Sequence, residues 1–238
     1  MSTHSDHQSP HEDDGRSGIS GPLYGVYPAR VVDYRDPDEI GRVKVSLPWA
    51  MDSNGVTYAA WARLATLMAG REKGTWFRPD VDDEVLVAFE AGDPRRPYVV
   101  GALWNGKDRP PAPADASQTN DVKLVRSRSG ITILLDDTPG RERLVLETRE
   151  GQRLTMKDAP GAIDIVDSNG NAIRCEPAGI TVTATAKVSV SASTLAISAG
   201  IVTIDAGMVR CSGIVQTDTL IANSVVSASY TPGAGNIW

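Results

Sequence analysis

The chain has 238 residues, of which 41% are hydrophobic and only 5% aromatic, and its formal net charge at pH 7 is −6. This acidic balance argues against nonspecific nucleic-acid binding, because affinity for a phosphate backbone comes mainly from Lys and Arg side chains that release counterions. No segment approaches the roughly 20 apolar residues of a membrane-spanning helix. Cys175 and Cys211 lie in strand-like sequence, which is typical of buried free thiols. With no secretory signal, the protein is expected to be made in the cytoplasm.

Residues 1–20 are rich in His, Ser, Asp and Gly and predict a flexible tail, because they offer too little apolar surface to offset the entropy of ordering. The next region, residues 21–105, alternates apolar and polar residues between turn signals such as Asp36-Pro37-Asp38. Five short strands within about 80 residues indicate a small closed barrel. The predicted strands are residues 24–34, 41–47, 61–65, 84–91 and 98–103.

Residues 106–127 contain Pro110, Pro111 and Pro113 and predict an extended linker between two domains. The second domain, residues 128–226, is predicted to be a shaft of short strands. Strand starts fall at residues 131, 144, 154, 163, 173 and 180, so the interval shrinks from thirteen to seven residues. Turn signals such as Asn169-Gly170 separate them.

Residues 187–214 repeat every seven residues, and each block holds two apolar residues separated by one position. The alternation predicts a short strand with one buried and one hydrated face, whereas a coiled coil would space its apolar residues by three and four. One strand per block is too narrow to enclose a core, so we expect copies of the chain to intertwine. The predicted inward-facing trimer core is Val188, Val190, Leu195, Ile197, Val202, Ile204, Val209 and Cys211.

The last residues, 227–238, break the repeat with Pro232, Gly233 and Gly235 and end in Ile237 and Trp238. We interpret this segment as a cap or tip. The two terminal side chains are a candidate docking point for a tip protein, and Trp238 folding back onto its own trimer explains the segment equally well.

Candidate chemical sites have simpler structural explanations. The acidic triplet Asp82, Asp83 and Glu84 precedes an apolar strand and is interpreted as a hydrated turn. The segment 167–171 resembles the start of a calcium loop, but its twelfth position is Ala178, and a type I′ turn at Asn-Gly accounts for it better. All three His residues lie in the tail, which excludes a Ser-His-Asp triad. The sequence therefore predicts no catalytic residue, no cofactor and no metal.

The sequence leaves two binding functions as alternatives. Single-stranded nucleic acid could stack on Trp61, Trp76 and Phe77 beside basic residues at 71, 73 and 78, but these aromatics also suit a barrel core or trimer contact. A tail spike or fibre that binds surface carbohydrate is the second alternative. Sugar platforms require exposed aromatics, and the sequence has no Trp, Tyr or Phe between Asn105 and Ser229.

Segments of the chain resemble a known family. Residues 33–49, 61–65 and 79–106, the last beginning Pro79-Asp80-Val81, resemble the OB-fold barrel of the phage baseplate assembly protein V family. Residues 129–133, 136–140, 167–173 and 179–182 resemble the shaft of its relatives, including the valine-glycine repeat protein G (VgrG) spikes of type VI secretion. The resemblance implies an all-β homotrimer: an N-terminal OB-fold barrel followed by an intertwined triple-stranded β-helix.

The same resemblance implies a structural central spike of a contractile injection system, a needle that pierces the target envelope when a sheath contracts. The expected partners are a separate baseplate hub protein and the inner tube, a tip protein of the Pro-Ala-Ala-Arg (PAAR) repeat type, and transiently the target membrane. No lysozyme domain is expected between barrel and shaft, where only residues 106–128 intervene. The expected location is a phage virion or tail-like particle assembled in the cytoplasm.

Overall fold

The computed structural model describes residue 19, residues 21–112 and residues 119–229. It separates into two compact units, Met1–Thr185 and Ala186–Trp238. Regular structure in the described residues consists of fourteen strands and one 3-10 turn, Glu90–Gly92. The predicted all-β fold class is therefore confirmed. No helix in these residues is long and apolar enough to cross a membrane.

The first unit begins with a closed five-stranded barrel, as the sequence predicts. Its strand order is β1-β2-β3-β7-β6; β3 and β7 are parallel, and the other neighbours are antiparallel. All five predicted strands are present, whereas the short β4–β5 hairpin is not among the predictions. The strands are β1 (Val26–Asp33), β2 (Val43–Met51), β3 (Thr57–Leu64), β4 (Ala69–Gly70), β5 (Lys73–Gly74), β6 (Glu84–Phe89) and β7 (Pro97–Ala102).

Apolar side chains, which alternate with polar ones along the strands, fill the interior of the barrel. Val43 and Val45 on β2 and Val85 and Val87 on β6 are fully buried, and each such side chain stabilises the fold by about 1.5–3 kcal/mol. Ile19, a member of the predicted tail, packs against this core. The other residues of that tail lie outside the described residues.

The rest of the first unit is a seven-stranded antiparallel sheet in which every strand pairs with its sequence neighbours. Its first strand lies within the predicted linker, and the other six follow the predicted strand starts within a few residues. The shaft therefore begins with hairpins made inside one chain. The strands are β8 (Val122–Arg126), β9 (Thr132–Asp136), β10 (Arg143–Glu147), β11 (Arg153–Lys157), β12 (Ala162–Val166), β13 (Ala172–Glu176) and β14 (Gly179–Thr183).

Four hairpin loops share one construction, at residues 52–56, 127–131, 148–152 and 167–171. In each, the first and fifth residues pair through their backbones, and the fourth is a glycine with φ between +78° and +94°. The side-chain oxygen of the first residue accepts the N–H of the fifth at 2.8–3.2 Å. This is the pattern of a type I turn followed by a left-handed residue.

The loop at 167–171 corrects one prediction. A type I′ turn needs positive φ at both central residues, but Gly170 has φ of +86° and Asn169 is not in the left-handed region. The Asp167 carboxylate accepts the backbone N–H and side-chain amide of both Asn169 and Asn171. Those hydrogen bonds, chiefly from Asn171, lower the pKa of Asp167. The residues that resemble a calcium loop thus close a hairpin.

The second unit contains no strand in its described residues, 186–229, and all of these residues are exposed. Bends at Ser193, Gly200 and Gly207 follow the seven-residue repeat. Beyond Gly213 the bends fall at Asp218, Asn223 and Ala228, five residues apart. The repeat therefore shortens toward the C-terminus, which the sequence analysis does not predict.

Candidate functional site

One face of the seven-stranded sheet is almost entirely apolar. The register aligns Ile133, Leu146 and Leu154 in one row across neighbouring strands, and facing residues of paired strands project from the same side. A parallel row passes through Leu135 and Leu144. We call this surface the apolar face; it consists of Val125, Ile133, Leu135, Leu144, Leu146, Leu154, Met156, Ile163, Ile165, Ile173, Cys175, Ile180 and Val182.

The opposite face of the sheet is charged and paired. Lys157 Nζ and Arg174 Nε both donate to the Asp164 carboxylate, at 2.9 and 2.8 Å, and these hydrogen bonds lower the pKa of Asp164. Asp136 pairs with Arg143 at 3.0 Å, and its pKa is lowered first by hydrogen bonds from Thr138. The centre of this face is covered by its own long side chains: Asp136, Val145, Thr155 and Asp164 are buried, whereas the Arg143 and Lys157 side chains remain partly exposed.

Much of the apolar face is exposed in the part of the single chain that the structure describes. Its side chains include Leu135 at 47% and Ile180 at 74% exposure. Six strand spacings of about 4.8 Å make it roughly 29 Å long. Soluble monomers rarely expose a continuous apolar patch of more than a few hundred square ångströms, so this surface has the character of an interface.

The predicted trimer-core residues of the second unit are exposed in the single chain. The seven members of this predicted core other than Cys211 have exposures between 55% and 69%. Cys211 is an exposed free thiol, and Cys175 is a partly buried one. The inward placement of these residues stays a prediction about the assembled protein. Ile237 and Trp238, the predicted docking point, lie outside the described residues.

A second apolar surface lies on the barrel, around the β4–β5 hairpin. Leu67 is 96% exposed and Phe77 is 77% exposed, and Met68 and Trp76 are also exposed. We call these four residues the barrel patch. The alternative that Trp76 and Phe77 form the barrel core is therefore wrong. The guanidinium of Arg78 lies over the Trp76 ring, 5.7 Å from its centroid.

The acidic triplet at the start of β6 is held by structural contacts. Asp82 pairs with Arg30 at 2.9 Å, and Asp83 accepts the backbone N–H of Asp80 at 2.8 Å. Glu84 accepts a hydrogen bond from the Asn105 amide at 2.8 Å. Within the described ranges, no group of three His, Cys, Asp or Glu residues is placed to hold a metal ion. Asp82 and Asp83 thus lie in the turn before β6, and Glu84 is the first residue of that strand.

Two family models match the chain, one over the barrel and one over the strands that follow it and part of the seven-residue repeat. Residues 27–104, the barrel, match the family model of the type VI secretion system/phage-baseplate injector OB domain. Residues 143–209, from β10 into the seven-residue repeat, match the phage baseplate V C-terminal trimerisation domain. The second match covers most of the apolar face and extends into the predicted trimer core.

Curated relatives are spike proteins of type VI secretion systems. VgrG1a of Pseudomonas aeruginosa is 32% identical over 130 residues, which are 51% of this chain and 20% of the relative. VgrG1b of the same organism is 30% identical over 128 residues, 51% of this chain and 17% of the relative. The actin cross-linking toxin VgrG1 of Vibrio cholerae is 30% identical over 117 residues, 48% and 11% of the two proteins. The chain thus spans a fifth or less of these relatives. With its injector OB domain and baseplate V trimerisation domain, the chain is a member of the phage baseplate V and VgrG-like spike proteins.

Proposed function

We propose that the chain is the structural central spike of a contractile injection system and that three copies form a needle driven through the target envelope by sheath contraction. The apolar face carries this proposal. Twelve of its apolar side chains lie on the six strands β9–β14 and need cover. The match to a trimerisation domain supports three copies as the source of that cover.

The mechanical role follows from the strand pairing expected in a shaft made of three copies of the chain. With three copies around an axis, each sheet turns its apolar face inward and its ion-paired face toward water. Closure of the three sides leaves few strand edges along the shaft. Bending or shearing the needle then requires many strand pairs to break together, which gives stiffness.

The shortening repeat supports a taper. At about 3.3 Å per residue, a seven-residue block spans about 23 Å of chain and a five-residue block about 16 Å. The perimeter of the needle therefore falls toward the C-terminal end. The outer surface there is rich in hydroxyl groups, since residues 178–238 contain only four charged residues, Lys187, Asp205, Arg210 and Asp218. A narrow, nearly uncharged surface suits passage through an envelope.

The proposed partners lie at both ends of the spike. Three barrels form a collar that joins the hub protein and inner tube, and the barrel patch offers the hub an exposed apolar surface. A PAAR-type protein docks at Ile237 and Trp238. The particle is assembled in the cytoplasm as a virion or tail-like particle, and the chain acts mechanically without catalysis.

Labelling of assembled particles tests the function. A tagged chain is expected at the centre of the baseplate in electron micrographs of extended particles, and at the leading end of the expelled tube after contraction. Particles that carry the spike only on the sheath or on fibres would contradict the proposal.

The barrel patch has its own test. Leu67→Asp is expected to abolish co-purification of the hub while the molar mass of the trimer stays unchanged. Val56→Asp, another exposed apolar residue of the barrel at 63% exposure, is the matched control. If Leu67→Asp dissociates the trimer, the patch lies between copies of the chain and the hub assignment fails.

A further inference from the structure

The barrel patch lies beside three exposed cations. Arg71 and Lys73 belong to the β4–β5 hairpin, and Arg78 follows Phe77 in the chain. Ion pairs with carboxylates of the described part of the barrel use other cations, namely Arg30, Arg35, Arg42, Arg95, Arg96 and Arg128. In a chain whose net charge is −6, this group of cations outside the barrel's ion pairs marks the hairpin as a region that attracts an anionic partner.

Two of the three cations are held in place by their neighbours. The aliphatic part of the Lys73 side chain lies on Gly70, where a Cβ would come within 2.8 Å of the Lys73 Cε. The guanidinium carbon of Arg78 lies 4.7 Å from the centroid of the Tyr34 ring and 5.7 Å from that of the Trp76 ring. Its Nη1 also donates to the Tyr34 carbonyl oxygen at 3.4 Å. Side chains that are already fixed lose less conformational entropy when they bind, so these cations are preorganised.

A groove runs beside the same hairpin. Its volume is about 860 Å³, which lies within the range of about 300–1,000 Å³ typical of ligand sites. Arg63 and Lys73 line it together with Glu72, so cations outnumber carboxylates in its lining. Its large apolar lining residues are Ile40, Leu64, Met68, Trp76 and Phe77. The groove therefore offers an apolar surface with an excess of positive charge.

We propose that the groove and the barrel patch bind an acidic segment of the hub protein that carries large apolar side chains. The inference rests on the proposed function, which assigns the patch to the hub. The apolar side chains of the segment enter the groove, and its carboxylates pair with Arg71, Lys73 and Arg78. Because the chain as a whole is acidic, such a segment is attracted here and repelled by most of the remaining surface. This charge pattern orients the spike on the hub as the two approach.

Nucleic acid is the other polymer that carries negative charge, and the surroundings of the aromatic rings disfavour it. Bases that stack need open ring faces. The Arg78 guanidinium lies over the Trp76 ring, and the Gly41 backbone packs against the ring edge, where a Cβ would come within 2.8 Å. Half of the barrel patch consists of Leu67 and Met68, which suit contact with apolar side chains. A peptide is therefore the partner that this surface fits.

Binding kinetics between the full-length trimer and the purified hub protein of the same particle test this inference. The double variant Arg71→Gln, Lys73→Gln is expected to lower the association rate constant at low salt about tenfold, because attraction between opposite charges speeds encounter. The wild-type rate should fall toward that of the variant as salt is raised from about 50 to about 500 mM, which shortens the Debye length. The matched control Lys107→Gln, Arg109→Gln removes an exposed Lys and Arg at the same spacing and is expected to keep the wild-type rate.

The other outcomes separate failure of this inference from failure of the proposed function. Hub binding that Leu67→Asp abolishes, but that salt and the double variant leave unchanged, would show an apolar contact without an acidic partner; the inference would be wrong and the hub assignment would stand. Binding of a labelled oligothymidylate that the double variant loses would show that the cations serve nucleic acid and would also overturn the inference. A trimer that does not bind the hub at all would overturn both.

Discussion

The substitution Ile165→Asp tests the apolar face most sharply. Ile165 is the fourth of the five residues of β12, facing Leu154 on one side and Ile173 on the other, and is 45% exposed in the single chain. In the trimer, the change buries three carboxylates close to the axis at a cost of several kcal/mol each. The total is on the order of 10 kcal/mol per trimer, a fall of about 10⁷ in the association constant. We expect a monomer by light scattering at micromolar concentration.

The adjacent residue provides the control for this prediction. Val166 lies on the same strand but projects from the opposite face, where its cross-strand partner is Arg153. Val166→Asp places the same charge on the partly exposed opposite face beside the Arg153 guanidinium and is expected to leave the trimer intact. A stable Ile165→Asp trimer, or equal loss of trimer in both variants, would refute the inward placement of the apolar face.

Three further predictions concern the thiols, the ion pairs and the turns. Cys175 and Cys211 are expected to react with a maleimide only after denaturation, because both thiols are covered in the trimer; rapid labelling of the native protein would contradict this. The lowered pKa of Asp164 adds stability that is complete above the ordinary carboxyl pKa near 4. That stability is lost as the pH falls through the lower folded value. Asp164→Asn should therefore lower the thermal midpoint at pH 7 but little at pH 2, and an equal loss at both values would exclude the ion pairs as the cause. Gly151→Ala should cost about 1–2 kcal/mol through its φ of +89° alone, since nothing lies within 4 Å of the added carbon; unchanged stability in urea would refute that turn geometry.

The barrel and the strand positions were accessible from sequence because each depends on local alternation between turn residues. Val43 and Val45, for example, alternate with polar neighbours and are fully buried. The β4–β5 hairpin was not accessible, since two-residue strands have no periodicity. The sequence places β8 in the linker, because Lys123 and Arg126 interrupt its apolar pattern near a proline-rich stretch.

The pairing of the shaft strands was harder to predict than their positions. Alternation shows which residues of β9–β14 share a face, but it is the same for strands paired within one chain or between chains. The distinction lies in the connections. Loops such as Thr148–Gln152 reverse the chain through a left-handed glycine, whereas the seven-residue blocks have only one or two small residues at each bend. The five-residue spacing after Gly213 is too short a repeat to recognise in the sequence, because it covers only three bends.

The molar mass of the purified full-length protein tests the central claim most directly. Multi-angle light scattering is expected to give three times the 25.3 kDa mass of the chain, independent of dilution through the micromolar range. A mass of 25.3 kDa in the folded protein would show that the apolar face is not covered by further copies of the chain. That result would contradict the trimeric spike.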